Sequence, residues 1–151
     1  MKKVALSAIV LFMVGCASTG ATSIHGTTKG EYGNYSGKGG MTAYHIDDNA
    51  YKYHYDNGFT GVDAMGWDSN LQYAWSRTAG AKTCGMTVDS KKIVSLLTKK
   101  YGYSELVHEI NGVEFHFLQQ SKIKDFCNEQ RVTELKQIIP QMTNGQFAKK
   151  F

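Results

Sequence analysis

The side chains of this 151-residue sequence that could do chemistry are five histidines, three cysteines and thirteen carboxylates. A metal site needs ligands at fixed spacing, and no HxxxH or HExxH pattern occurs. His45 and His54, with Asp47 or Asp48 close by, come nearest, while His108 and His116 fall on opposite faces of the hairpin expected around them. No metal and no cofactor is therefore expected. Glu109 and Glu114 would face each other across that same hairpin, the arrangement of an acid/base pair, but nothing supplies a pocket around them. Cys84, in Thr83-Cys84-Gly85, lacks a neighbouring base and does not open a helix, as an activated thiolate usually does. With no nucleophile, base and orienter in combination, no catalytic residue is assigned and the chain is expected not to be an enzyme. The remaining candidate is aromatic. Tyr51, Tyr53, Tyr55, Trp67 and Trp75 crowd one stretch, and such rings stack on sugars or anchor protein partners. They would equally fill the core of a small sheet.

The elements that must position these groups begin with two hairpins. Tyr51 to Tyr55 alternates, Asp56-Asn57-Gly58 breaks the run and Phe59 to Ala64 resumes it, which predicts two strands about an Asn-Gly turn. Glu105 to Leu118 repeats the pattern about Asn111-Gly112, with Leu106, His108, Ile110, Val113, Phe115 and Phe117 on one face. Met41 to Ile46 reads as a short first strand. Residues 66–80 fit a helix capped by Asp68 or Ser69 and stopped by Gly80, or a strand through Leu71, Tyr73 and Trp75. A clearer helix spans Val88 to Tyr101, capped by Asp89 or Ser90 and ended by Gly102. The last runs from about Ser121 to Ile139 and halts at Pro140. The expected fold class is α+β: a small antiparallel sheet built from two hairpins, packed against two to three helices.

The N-terminal residues carry a different message. Lys2 and Lys3 precede an apolar run from Val4 to Val14, closed by Gly15-Cys16. The run is roughly half the ~20 residues that cross a bilayer, so it reads as a signal peptide, residues 1–15. Here the chain resembles bacterial lipoproteins, whose signals end in a lipobox. Met13-Val14-Gly15-Cys16 fits at three of four places, with Met13 where leucine is usual. The resemblance implies lipidation of Cys16, and Ala17, where an acidic residue would signal inner-membrane retention, implies the periplasmic leaflet of the outer membrane. Two or more acyl chains make such anchoring stable.

Residues 16–40, rich in Gly, Ser and Thr, then read as the lipidated cysteine and a flexible tether, 41–143 as one domain and 144–151 as a loose tail. With Cys16 taken by lipid in a compartment that oxidises thiols, Cys84 and Cys127 remain to form one disulfide. Setting Lys2 and Lys3 aside leaves 15 basic against 13 acidic side chains, a formal +2. That balance disfavours a nucleic-acid partner. The expectation is a non-enzymatic outer-membrane lipoprotein binding another envelope protein, as an accessory or pilot subunit of a secretion, pilus or flagellar assembly. The alternative is a tethered inhibitor or immunity protein against a toxin or lysozyme. A weaker alternative is a peptidoglycan-binding or peptidoglycan-modifying protein.

Overall fold

The structure is a computed structural model in which residues 32–42 and 44–147 are described. The signal segment, Cys16 and the expected tether as far as residue 31 lie outside them. Six α-helices follow in order: α1 (Asp48–Asn57), α2 (Ser69–Thr83), α3 (Ser90–Tyr101), α4 (Tyr103–Val107), α5 (Gly112–Gln120) and α6 (Glu129–Thr143), with a 3₁₀ turn at Gly61–Ala64. The described residues contain no strand and no sheet. A single antiparallel bridge between Met41 and Ile46 is their one β feature. The α+β expectation is therefore wrong: the first expected hairpin is α1 followed by the 3₁₀ turn, and the second is α4 and α5.

The cause of the error is visible residue by residue. In α1 the buried positions are Ala50, Tyr51, His54 and Tyr55, a helical spacing. The Tyr51, Tyr53, Tyr55 alternation conceals it, because His54 is the buried residue between two tyrosines. Asp47 starts the helix by accepting the amides of Asn49 and Ala50. Gly58, at φ 108°, ends it in a conformation that side chains resist. In the second supposed hairpin the buried residues are Leu106, Glu109, Gly112, His116 and Gln120, again at steps of three and four. Three of the five are polar, so an apolar pattern search sees alternation instead. Asn111-Gly112 is the entry to α5, and its glycine serves close approach. A Cβ at Gly112 would lie 2.5 Å from Cγ and 2.8 Å from Nε1 of the Trp75 indole. Gly112→Ala should accordingly destabilise by about 1–3 kcal/mol, read from the urea midpoint, since a rigid ring cannot yield as a flexible chain would.

α2 is the axis of the molecule, buried at every residue from Leu71 to Ala81. It resolves the 66–80 ambiguity as a helix, begun by Asp68, which accepts the amides of Asn70 and Leu71. It runs past Gly80, where a side chain would press on the Tyr55 hydroxyl and Leu135. α3 matches its expected span and caps, with Asp89 accepting the Lys92 amide and Gly102 at φ 90°. The C-terminal helix starts later than expected, at Glu129 after Asn128, and continues through Pro140. Pro140 sits on the exposed side, where water can take the carbonyl it leaves unpaired. Residues 121–128 are turns.

Two apolar clusters flank α2. One gathers Leu71, Trp75, Ile93, Leu97, Leu106, Leu135 and Ile139; the other gathers Met41, Tyr51, Tyr55, Phe59, Ile123 and Phe126. Cys84, at the end of α2, touches both and is joined to Cys127 in a disulfide with Cα atoms 5.4 Å apart. Residues 32–40, assigned by composition to the tether, lie against α1. Tyr32 is buried and its hydroxyl donates to Asp56 at 2.7 Å, and its ring meets Tyr53 edge-on.

Candidate functional site

The groups that could do chemistry are mostly engaged in holding the fold. His54 is buried, with Nδ1 donating to the Gly58 carbonyl at 2.7 Å and Nε2 lying 2.9 Å from the Tyr35 hydroxyl and 3.2 Å from Asp63. Asp63 also accepts the amides of Gly39 and Met41 and the Tyr35 hydroxyl. Burial pushes the Asp63 carboxyl up, but the two amides, His54 and Tyr35 together hold it below its ordinary value. Burial, and then the charge of Asp63, push the Tyr35 phenol up, so it keeps its proton and is not an activated nucleophile. This trio clamps the segment before α1 to the 3₁₀ turn.

A second network crosses the core. Gln120 donates to the Tyr51 hydroxyl and to the Ser76 carbonyl, both at 2.9 Å, while its own Oε1 accepts from Thr83. The Tyr51 proton is then free for His116 Nδ1, 2.8 Å away. That assigns the remaining imidazole proton to Nε2, which has no hydrogen-bond partner among the described residues. The ring is enclosed by Tyr51, Phe59, Trp67 and Phe115. Burial, and secondarily the charge of Arg77, hold His116 down at about 3. Its unfolded value is about 6.5, so between those limits the unfolded chain binds a proton that the folded chain refuses. Stability from this group is complete above pH 6.5 and falls by about 1.4 kcal/mol per unit as the pH drops toward 3. Urea unfolding at pH 7 and 4.5 should show this loss in the native chain and a slope smaller by about one proton in His116→Gln.

The carboxylates expected to pair are separated. Glu109 is buried and accepts the Asp68 amide at 2.7 Å and the Trp75 indole N–H at 3.1 Å, beside the start of α2. Burial raises its carboxyl, opposed by these two bonds. Glu114 is exposed and pairs with Lys82 at 3.2 Å. Cys84 is in the disulfide. Among the described residues no group of three or more His, Cys, Asp or Glu could hold a metal.

The expected aromatic binding surface is largely absent. Tyr51, Tyr55 and Trp75 are fully buried, Tyr53 and Trp67 half-buried. Two rings outside that set do stand in solvent, Tyr103 on α4 and Tyr44, which is fully exposed on the turn between Met41 and Ile46. Tyr44 borders an open groove of about 450 Å³ whose walls include His45, Asp48, Gln119 and Lys122 above Ile46, Phe115 and Ile123. Those four polar side chains take part in no hydrogen bond or ion pair among the described residues, in contrast with the buried networks. Sequence pattern could not have found this groove, because Gln119 on α5 and Lys122 in the turn after it meet a turn far away in the chain. Comparison with protein-family profiles, curated proteins and solved structures finds no match.

Proposed function

We propose that this chain is a lipid-anchored protein of the outer membrane, facing the periplasm, that binds another envelope component and does no catalysis. The observation that carries the binding role is the Tyr44 groove, where unengaged donors, an acceptor and two aromatic rings line one surface. A volume near 450 Å³ and this mixed lining suit recognition of a side chain or short segment of a partner. The lipobox-like Met13-Val14-Gly15-Cys16 supports the location, as does the Cys84–Cys127 disulfide, a bond that reducing cytosols do not maintain. The partner in this reading is a protein of a secretion, pilus or flagellar assembly.

The test is capture from detergent-solubilised envelopes with the tagged full-length protein, beside a Tyr44→Ala, Lys122→Glu variant. An assembly component recovered by the native protein and lost by the variant is expected. Recovery of a hydrolase or toxin instead would make the protein an inhibitor. Recovery of nothing, together with measurable glycan cleavage, would overturn binding as the role.

A further inference from the structure

We infer that the flank formed by α3 and α4 is a membrane-contacting surface that lies on anionic phospholipid headgroups. At about 100° per residue, the side of α3 opposite the buried Ile93 and Leu97 carries Lys91, Lys92 and Lys99, all exposed. None of the three enters an ion pair among the described residues, whereas Lys82, Arg77 and Arg131 all do. α3 contains no acid. The exposed carboxylates around it are Asp89 at its start, which accepts the Lys92 amide, Asp68, whose charge acts on Tyr101, and Glu105 on α4. Lys100 donates to the Phe147 carbonyl at 2.9 Å and stays at the surface. A helix face with three exposed lysines and no acid of its own is attractive to an anionic surface.

The second observation is independent of charge. Gly102 leads the Lys99 end of α3 directly into α4, whose Tyr103 is 67% and Val107 38% exposed, with Ile110 47% exposed just beyond it. Tyr103 and Val107, four residues apart, share a side of α4, and Ile110 is exposed in the turn that follows it. Basic side chains beside a tyrosine and branched aliphatics are the composition of an interfacial surface: lysines pair with phosphates, tyrosine sits at headgroup depth and the aliphatics enter the acyl boundary. A solvated lysine face would not need the apolar neighbours. A protein partner would be expected to bring acids against the lysines, while an anionic bilayer offers charge and apolar depth together. A lipid anchor would hold the domain within reach of such a surface, raising the effective concentration enough for a weak contact to form.

The inference rests on the envelope reading only for the presence of a membrane, and its test leaves the anchor out. The mature chain carrying Cys16→Ser is floated with vesicles of phosphatidylethanolamine and phosphatidylglycerol, and with vesicles of phosphatidylcholine alone. Binding to the anionic vesicles, weakened by salt and absent from the neutral ones, is expected. Each lysine contributes about a five-fold factor, so Lys91→Glu, Lys92→Glu, Lys99→Glu together should weaken it by at least about 100-fold with helicity unchanged. Tyr103→Ser with Ile110→Ser should weaken it while keeping the salt dependence. No binding by the native chain, equal binding to both vesicles, or full binding by the triple variant would overturn it. So would concentration-dependent dimers abolished by the Tyr103 variant, which would make the flank a self-contact. Failure here alongside Cys16-dependent membrane retention would remove the flank and leave the anchor standing.

Discussion

Arg77→Ala should lower the unfolding free energy by about 3–5 kcal/mol, the cost of stranding one half of a buried ion pair. Arg77 is fully buried in the middle of α2, with Nε and Nη2 donating to Glu134 Oε1 at 3.2 and 3.0 Å. Its guanidinium lies between two rings, 3.8 Å from the Tyr55 centroid and 4.3 Å from that of Tyr73. Removing it leaves a cavity and an unpaired carboxylate, and takes a planar cation from between two aromatic faces. Arg77→Lys should recover little, because an ammonium cannot stack or reach in the same fork. Arg77→Met with Glu134→Leu should recover most of the loss, since replacing both partners with apolar groups removes the uncompensated charge. Urea midpoints with an unchanged m value separate these outcomes. If Arg77→Ala costs less than 1 kcal/mol, α2 is not the structural axis described.

Cys84→Ser with Cys127→Ser is the second large effect. The disulfide spans 43 residues, and closing such a loop stabilises by about 4 kcal/mol in the chain-entropy treatment. Its position makes the loss felt on both sides, because Cys84 touches the two apolar clusters and Cys127 follows Phe126 in the second. A melting temperature lower by about 15–20 °C is expected, with the helical signal retained at low temperature. Reductant should bring the native protein to the same point. A reduced native chain that melts with the oxidised one would show that the link does not constrain the fold.

The parts of the fold legible in the sequence are those where local chemistry and burial agree. α3 shows its cap, apolar stripe and terminal glycine openly, whereas residues 66–80 fit a strand through Leu71, Tyr73 and Trp75 as well as the helix that Asp68 caps. α1 and the stretch through α5 carry strand-like patterns because their inward faces are built partly from His54, Glu109, His116 and Gln120. Burying such residues requires partners supplied by other helices, so no local pattern announces it. Both Asn-Gly pairs serve helix ends in place of turns, one through a positive φ and the other through room for an indole. The aromatic stretch was visible as a concentration, but its division between core and solvent was not. Tyr44 lies in the exposed turn between the bridged Met41 and Ile46, whereas Tyr51 and Tyr55 lie on the buried face of α1. The disulfide followed from counting cysteines, and its geometry agrees.

The most direct measurement is of the anchor, from which the location and the nature of the partner both descend. Outer membranes from cells making the native protein or Cys16→Ser are washed in high salt to strip peripheral contacts, and the retained protein is measured along with the mass of its N-terminal peptide. The native protein should remain, beginning at Cys16 with acyl chains attached, and Cys16→Ser should appear in the soluble periplasm. Retention of Cys16→Ser in the washed membranes, or a native N-terminus without lipid, would contradict the account.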